Sequence, residues 1–587
     1  SFGNYKHGYE FLELPSSLIG EKTLLEWLVV DDYSSWWLIA PIIHPKFKEA
    51  TRFIDRILSL IEKLKITEFR LESYFDKTDI IKQICDLKGI SFTISKNDYL
   101  LFQRKQTLKQ FFKKYGYRKI TKQKWKNRLN LFKKKHSFNI IPSNYALITS
   151  PGLYRREAWD PNIQKTKNEE FFIKPIIDEL NSKNMPTLLI DLDYTFRGTT
   201  KILNERLDDK LPCIPIEFLL TSSRSNNINS KLNLLKNSIN EMKNQNVEAV
   251  FEYKNISVWN YVKSIFDDIF LEPHLPTYLH LIESAYEFFK KSKPNVIIQV
   301  YEVGPYAKSL EIAAQKLQIR TIGVQHGLIP TDTPDYIFKE LRKPDFLLGN
   351  IIPDLTFVFG DYYKKILVEH SAYPDDSIES IGHPSFFNIH KIKKILSRDQ
   401  ILNKYHLNDK KIILLPFSFR FTYITNSPDR ILLDELYKGL KDSEDTIVLV
   451  RPHPGDKFNQ DVLQQICPSK NFICSNASLF EDLTLCDLVV IAPISTVSSE
   501  AAIFEKPIFF VNVLDDDILE SINPVYHELI LNDVVKLIPK KDLIQSISSI
   551  KKGELWNTSS SSKRAQFLTS FFNLERKPNL FQLIYPD

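Results

Sequence analysis

The chain has 587 residues, which at about 100 to 200 residues per domain predicts three to five domains with ample length for more than one core. Hydrophobic residues make up 43% and charged residues 26%, and the 16 Gly and 31 Pro follow no period, so a disordered or fibrous chain is excluded. Net charge is +6 but uneven: Leu101 to His136 holds 14 Lys or Arg and no Asp or Glu, leaving the rest of the chain at −8. One strongly basic segment on a mildly acidic body predicts a local partner for that segment and no nucleic-acid coat.

The five cysteines, Cys85, Cys213, Cys467, Cys474 and Cys486, are odd in number and show no CxxC or Cys/His ligand spacing. Neither a disulfide framework nor a zinc site is expected, and a reducing compartment fits. No run reaches the roughly 18 to 20 apolar residues of a membrane helix; the longest candidate, Trp36 to Ile43, is interrupted at Pro41. The chain opens at Ser1 without a basic region, apolar stretch and cleavage site, so a cytoplasmic protein is expected.

Residues 1–100 read as a small α/β unit, with apolar runs EWLVV and FTISK around the helical stretch FKEATRFIDRILSLIEKLK. There Phe47, Ala50, Phe53, Ile54, Ile57, Leu58 and Ile61 recur at three and four residues and share one face. Residues 101–140 read as a basic amphipathic helical segment, with Leu108, Phe111, Phe112 and Tyr115 at helical spacing among lysines. Rings among cations suit the boundary of an anionic membrane, where each basic residue contributes about 1 kcal/mol, so residues 101–136 are expected to contact the inner membrane face. A solvated linker helix packed on the body is the competing reading, and RNA binding lacks a supporting motif.

Residues 141–348 alternate strand, loop and helix (YALITS, TLLIDLD, CIPIEFLL, PNVIIQV, then PYAKSLEIAAQKL), and 349–541 do so again (LTFVFG, IESIGHP, KIILLPFSF, TIVLVRPHP, DLVVIAP, KPIFFVNV). Two consecutive doubly wound, Rossmann-like parallel-sheet domains facing a cleft are predicted. Residues 542–587, Ser- and Lys-rich and then aromatic, are expected to return and pack on the earlier domain.

Ligands of open parallel sheets lie beyond the carboxyl ends of the strands, so the polar residues after each apolar run are the candidates. Glu302 follows VIIQV and His326 follows RTIGV; either is placed to take a proton from an acceptor hydroxyl. Imidazole starts near neutrality, whereas a Glu must be raised by burial or a neighbouring charge; a His that merely braces its loop is the plainer alternative. Arg451, His453 and Pro454 follow TIVLV, and Ser495, Thr496, Ser498, Ser499 and Glu500 follow LVVIAP at a helix start. Four hydroxyl residues in five positions, beside a basic strand end, predict a phosphate site rather than a simple cap. Ser418 and Arg420, after KIILLP, are expected within reach of the same phosphate, while His383 in IESIGHP carries little functional weight. Asp191-Leu192-Asp193 imitates a DxD metal motif, but the pattern is short and lies away from the phosphate candidates, so no metal is expected. GxxxxGK[ST], HExxH, GxSxG and GxGxxG are all missing, which removes the usual P-loop, zinc-protease, serine-hydrolase and dinucleotide-binding signatures.

RPHPGD followed by CDLVVIAPISTVSSEAAIFEKPIFFV resembles the donor-binding half of two-domain GT-B sugar transferases, in particular the group of CDP-glycerol polymerases, polysialyltransferases and capsule Kdo transferases. YEVGPYAKSLEIAAQKLQIRTIGVQHG and DDYSSWWLIAP are similar to segments of surface-carbohydrate biosynthesis proteins, and the likeness is dense from Asn295 to Asn512. It implies that His453 and Pro454 contact a cytidine nucleotide, that Ser495, Thr496, Ser498 and Ser499 surround its phosphates, and that Glu500 approaches the ribose. It also sets His326 where the polymerases carry the catalytic His of a WHGTP motif, although QHGLIPTDTP stands here and leaves Glu302 a competitor. The implied activity is metal-independent transfer of a sugar or glycerol-phosphate-like group from a CMP- or CDP-linked donor to a glycan or lipid-linked acceptor in surface polysaccharide synthesis, without a cofactor. The alternatives are a sugar-nucleotide epimerase of the UDP-N-acetylglucosamine 2-epimerase type and a non-catalytic scaffold.

Overall fold

The structure, a computed structural model, describes residues 6–95, 127, 129–130, 144–160, 165–192, 201–220, 225–331, 333–387, 389–407, 410–417, 427–453, 458–492, 497–513, 524–550, 561–573 and 578–586. Apart from 127 and 129–130, the basic segment expected to contact a membrane lies outside the described residues. Among those described, no helix is long and apolar enough to cross a membrane.

Two parallel sheets carry the molecule. The first has seven strands: β1 (Ala146–Ser150), β2 (Thr187–Asp191), β3 (Cys213–Pro215), β4 (Val296–Val300), β5 (Arg320–Val324), β6 (Leu355–Val358) and β7 (Ile378–Ser380), in the order β3-β2-β1-β4-β5-β6-β7. The second has six: β8 (Lys411–Pro416), β9 (Thr446–Arg451), β10 (Phe472–Cys474), β11 (Leu488–Ile491), β12 (Ile508–Asn512) and β13 (Lys536–Pro539), in the order β10-β9-β8-β11-β12-β13. Every pairing within them is parallel. The chain reverses its direction of growth beside β1 and again beside β8, which creates the crevices where doubly wound sheets bind ligands.

Strands buried on both faces read as unbroken apolar runs, and that is why these segments were legible. In β1, Ala146 and Ile148 pack into one cluster and Leu147 into another; in β8, Ile412 and Leu414 face one cluster and Ile413 and Leu415 the other. Both sheets are therefore covered by helices on both sides, the α/β arrangement expected.

Two expectations on chain organisation need correction. A second series starting at LTFVFG is wrong for sheet membership: β6 pairs with β5 from Ile322↔Leu355, and β7 pairs with β6, so both complete the first sheet. Apolar alternation alone cannot assign a strand to a sheet. Nor do residues 1–100 form a separate core. Helix α1 (Trp36–Leu64) buries Trp36, Ile39, Ile43, Phe47 and Ile54 in the same cluster as strands of the first sheet. It runs through both Pro41 and Pro45, starting earlier than the periodic stretch suggested. Each internal proline costs about 3 kcal/mol, and burial of Leu38, Ile39, Ile43 and Phe47 at about 1.5–3 kcal/mol apiece outweighs it. EWLVV is not one strand: Leu24–Trp27 is a helical turn with a Thr23/Glu26 capping box, and only Val29–Val30 is extended. Helix α2 (Thr78–Lys88) then follows.

Helix α3 (Pro305–Gln315) connects β4 to β5, and α4 (Asp361–His370) connects β6 to β7. In the second half, α5 (Leu479–Leu485) precedes β11 and α6 (Val497–Ile503) follows it. At the C-terminus, α7 (Ser561–Phe572) crosses back onto α4, and α8 (Leu580–Ile584) lies on helix Lys174–Ser182, with Leu583 O accepting from Arg320 Nη2 at 3.1 Å. The crossing is so close that a Cβ on Gly360 would sit 2.2 Å from the Ser570 carbonyl oxygen.

Candidate active-site cleft

The residues beyond the ends of β1, β4 and β5 converge with those beyond β11. A small polar cavity of about 60 Å³ is lined by Arg156, His326 and His383 from the first half and by Ser499 and Glu500 of α6 from the second. A larger cavity of about 710 Å³ adjoins it on the first sheet, lined by Tyr154, Tyr301, Tyr306, Asp335 and again His326. His326 is the residue common to both linings.

The His326 ring stands 4.7 Å from Tyr301 edge-on and 5.4 Å from Tyr154, and its Nδ1 lies 3.5 Å from the Tyr336 hydroxyl. Burial and the positive charge of Arg156 push its pKa down to about 3, so it is neutral at physiological pH. Tyr301, the first residue after β4, holds φ +63, a left-handed backbone that a tyrosine adopts only where its surroundings enforce it.

Arg156 enters through strand alternation. Arg155 and Arg156 are adjacent on strand Arg155–Asp160, so their side chains leave on opposite faces. Arg155 is held by Glu205 at 3.3 Å and Glu170 at 3.6 Å. Arg156 instead reaches the cleft, its guanidinium 5.7 Å from the rings of Tyr154 and Phe171 and 5.8 Å from Phe172. The same acidic cluster accounts for Asp191: fully buried Arg206 contacts Asp191 at 3.1 Å and Glu170 at 2.6 Å, so the half of the DxD pattern that is described is tied into a structural ion-pair network. Asp193 lies outside the described residues. Among the described residues, no cluster of His, Cys, Asp or Glu could hold a metal ion.

Glu302 is fully enclosed, its side chain against Gly323, where a Cβ would lie 2.9 Å from Glu302 Cγ. Burial pushes its carboxyl up to about 8; Tyr336 and Lys308 oppose the rise. It lines neither cavity. Asp335 does line the larger one, and burial raises its carboxyl to about 6.

On the second sheet, all strand tips emerge at the same carboxyl edge, as the phosphate-site expectation requires. The tips are not neighbours, however: β8 lies between β9, which ends in Arg451, and β11, which leads to the serine run. Arg451 Nη1 contacts buried Asp482 of α5 at 2.7 Å and donates to the Ala477 carbonyl at 2.8 Å, so one of its nitrogens is held by α5. Ser498, Ser499 and Glu500 are buried at the start of α6, with Ser499 and Glu500 in the cleft lining. Burial pushes the Glu500 carboxyl up to about 7, against the pull of Arg156 and Arg451. Helix α6 spans only seven residues, so its dipole is short and the side chains decide the site. His453 is half-buried after β9; Pro454, Ser495, Thr496, Ser418 and Arg420 lie outside the described residues.

Sequence reasoning missed Arg156 and Asp335 and underrated His383, whose imidazole is pushed down to about 3 by burial and Arg156. The residues after β1 were open to the same reading as the other strand ends. What hid Arg156 was the hairpin between that strand end and the cleft.

No family model matches the chain, and no curated protein matches it. Among solved structures, it is similar to the UDP-GlcNAc 2-epimerase from Neisseria meningitidis bound to UDP-GlcNAc, at 10% identity over 75% of this chain and 98% of that one, with a TM-score of 0.43. It is also similar to the wall teichoic acid polymerase TagF (18% identity, 53% and 84% covered, TM-score 0.33) and to Acinetobacter baumannii MurG (11%, 76% and 94%, 0.34). At such scores and identities the likeness adds nothing to the strand pairing, which shows an α/β protein of two doubly wound parallel sheets, with residues of both lining one cavity.

Proposed function

We propose that the chain is a glycosyltransferase that moves a sugar, or a glycerol-phosphate-like group, from a nucleotide-activated, cytidine-linked donor to a glycan or lipid-linked acceptor, without a metal. The observation that carries the reading is the position of His326 between two unlike cavities: one with Arg156 and Glu500, the other walled by tyrosine rings and Asp335. Aromatic faces suit the apolar faces of sugar rings, and a guanidinium suits a phosphate.

In this reading the acceptor lies on Tyr154, Tyr301 and Tyr306. With a sugar donor, its hydroxyl oxygen forms a bond to the anomeric carbon, the bond from that carbon to the phosphate oxygen breaks, and the nucleotide leaves with the electron pair. With a glycerol-phosphate-like group, the same oxygen attacks the outer phosphorus, the P–O bond to the nucleotide breaks, and the nucleotide monophosphate leaves with the pair. Arg156 stabilises the charge that develops on the departing phosphate. The acceptor proton passes to His326 or to Asp335. A neutral imidazole is ready to accept, but at about 3, lowered first by burial and then by Arg156, it is a weak base, and an anion beside Arg156 offsets only the second of these. Asp335, at about 6, starts better matched. Glu302 has no direct access to either cavity and reaches the site through Tyr336.

The test is a product assay with and without acceptor, after a thermal-shift panel of CMP, CDP, UDP and GDP has found the nucleotide that raises the melting point. Isomerisation of the donor alone would replace transfer by epimerisation; nucleotide binding without turnover would leave a scaffold. His326→Ala is expected to abolish turnover with donor affinity nearly unchanged. Full activity in that variant moves the proton transfer to Asp335, which Asp335→Asn then checks.

A further inference from the structure

Away from the cleft, a cavity of about 470 Å³ opens on α1 and the start of α2. Its wall carries Lys48, Arg52 and Arg56, spaced by four residues and therefore on one helix face. His44 and Lys77 complete the rim, and Pro45 and Phe53 add apolar surface. Glu49 is the one carboxylate of the lining, and it is already committed: Lys77 holds it at 2.7 Å and Lys46 at 3.1 Å. Those contacts keep its carboxyl at about 2, ionised and occupied at any working pH. Arg52 and Arg56 are exposed and enter no ion pair among the described residues.

Like charges four residues apart on a helix repel, and the lining of this cavity holds no carboxylate besides Glu49 to offset Arg52 and Arg56. A ligand that brings negative charge and several acceptor oxygens removes that repulsion. A guanidinium pairs with two oxygens at once, and a phosphate carries oxygens enough to serve both arginines, whereas the two oxygens of a carboxylate serve one. The volume exceeds a bare phosphate and falls in the range of small-molecule sites, so the phosphate is expected to carry an organic group that rests on Phe53 and Pro45.

We propose that this face of α1 binds a phosphate ester, through Arg52 and Arg56, at a site separate from the cleft. The site stands whether or not the cleft carries out transfer. The ester comes either from a soluble phosphorylated compound or from a lipid headgroup, which share the recognised chemistry.

Full-length protein is titrated by calorimetry with inorganic pyrophosphate and, separately, with a monomeric short-chain phosphatidic acid. Three forms are compared: the parent, Arg52→Ala/Arg56→Ala, and Lys290→Ala/Lys291→Ala, which makes the same charge change at exposed positions elsewhere. Arg156→Ala in each background separates any pyrophosphate bound in the cleft. The α1 variant is expected to lose at least about tenfold in affinity for one or both probes, with its melting point not lowered, because both side chains are exposed and their mutual repulsion is relieved. Stronger loss toward pyrophosphate assigns a soluble ligand, and stronger loss toward the lipid a headgroup. Equal affinities in the parent and the α1 variant, or an equal loss in the Lys290/Lys291 control, overturn the site.

Discussion

Individual side chains here are governed by burial more than by their ordinary chemistry. Glu302 titrates near 4.5 when exposed and near 8 in the fold, so between those values the folded chain holds a proton that the unfolded chain has released. Stability therefore falls as pH rises from about 4.5 to 8, and Glu311, raised for the same reason, adds a contribution of the same sign. Glu302→Gln is expected to flatten that decline and to raise the denaturation midpoint at pH 8; an unchanged slope would show that the carboxyl is solvated. Glu500 gives a second pH test. Above about pH 7 it is ionised beside the expected phosphate position, so affinity for a nucleotide-sugar diester, which does not itself titrate there, is expected to weaken by several-fold from pH 6 to 8. Glu500→Gln removes the dependence if this carboxylate is its source. Arg206 belongs at this scale too. It answers Asp191 and Glu170 in a fully enclosed site, and Arg206→Ala is expected to cost about 3–5 kcal/mol in chemical denaturation because both carboxylates lose their partner.

Elements are positioned by a few close approaches. Helix α7 passes α4 at Gly360, and Phe572 O accepts from the His383 N–H at 3.3 Å, so the returning C-terminal helix borders the same cleft that His383 lines. Gly360→Val places atoms where the Ser570 carbonyl already sits. It is expected to cost about 1–3 kcal/mol and to expose the chain beyond residue 560 to limited proteolysis, while nucleotide affinity falls with the loosened His383. Proteolysis at the parent rate would mean that the crossing tolerates the extra volume. Legibility also differed by element. Strands β1, β2, β4, β5, β8, β9, β11 and β12 were readable because both faces are buried; α1 was half-read, because Pro41 and Pro45 look like breaks until the burial of its first three turns is counted.

For the molecule as a whole, two sheets meeting at their carboxyl edges predict a ligand-dependent closure. A nucleotide that bridges Arg156 and α6 is expected to raise the melting point and to protect backbone amides of both halves from hydrogen exchange, where a ligand confined to one half would protect one only. The residues expected at the strand ends, Glu302, His326, Ser499 and Glu500, were legible because parallel sheets expose their chemistry at one edge. The amino-acid sequence by itself determined the α/β class, the strands and most of these strand-end residues, since an apolar run and the polar residues just beyond it are local properties. Only the tertiary structure decided that β6 and β7 belong to the first sheet, that Arg451 pairs with Asp482, that Asp191 serves Arg206, and that Arg156 and Asp335 join His326. Each of these depends on which distant segment supplies the neighbour, and charge pairing and burial are set by neighbours in space.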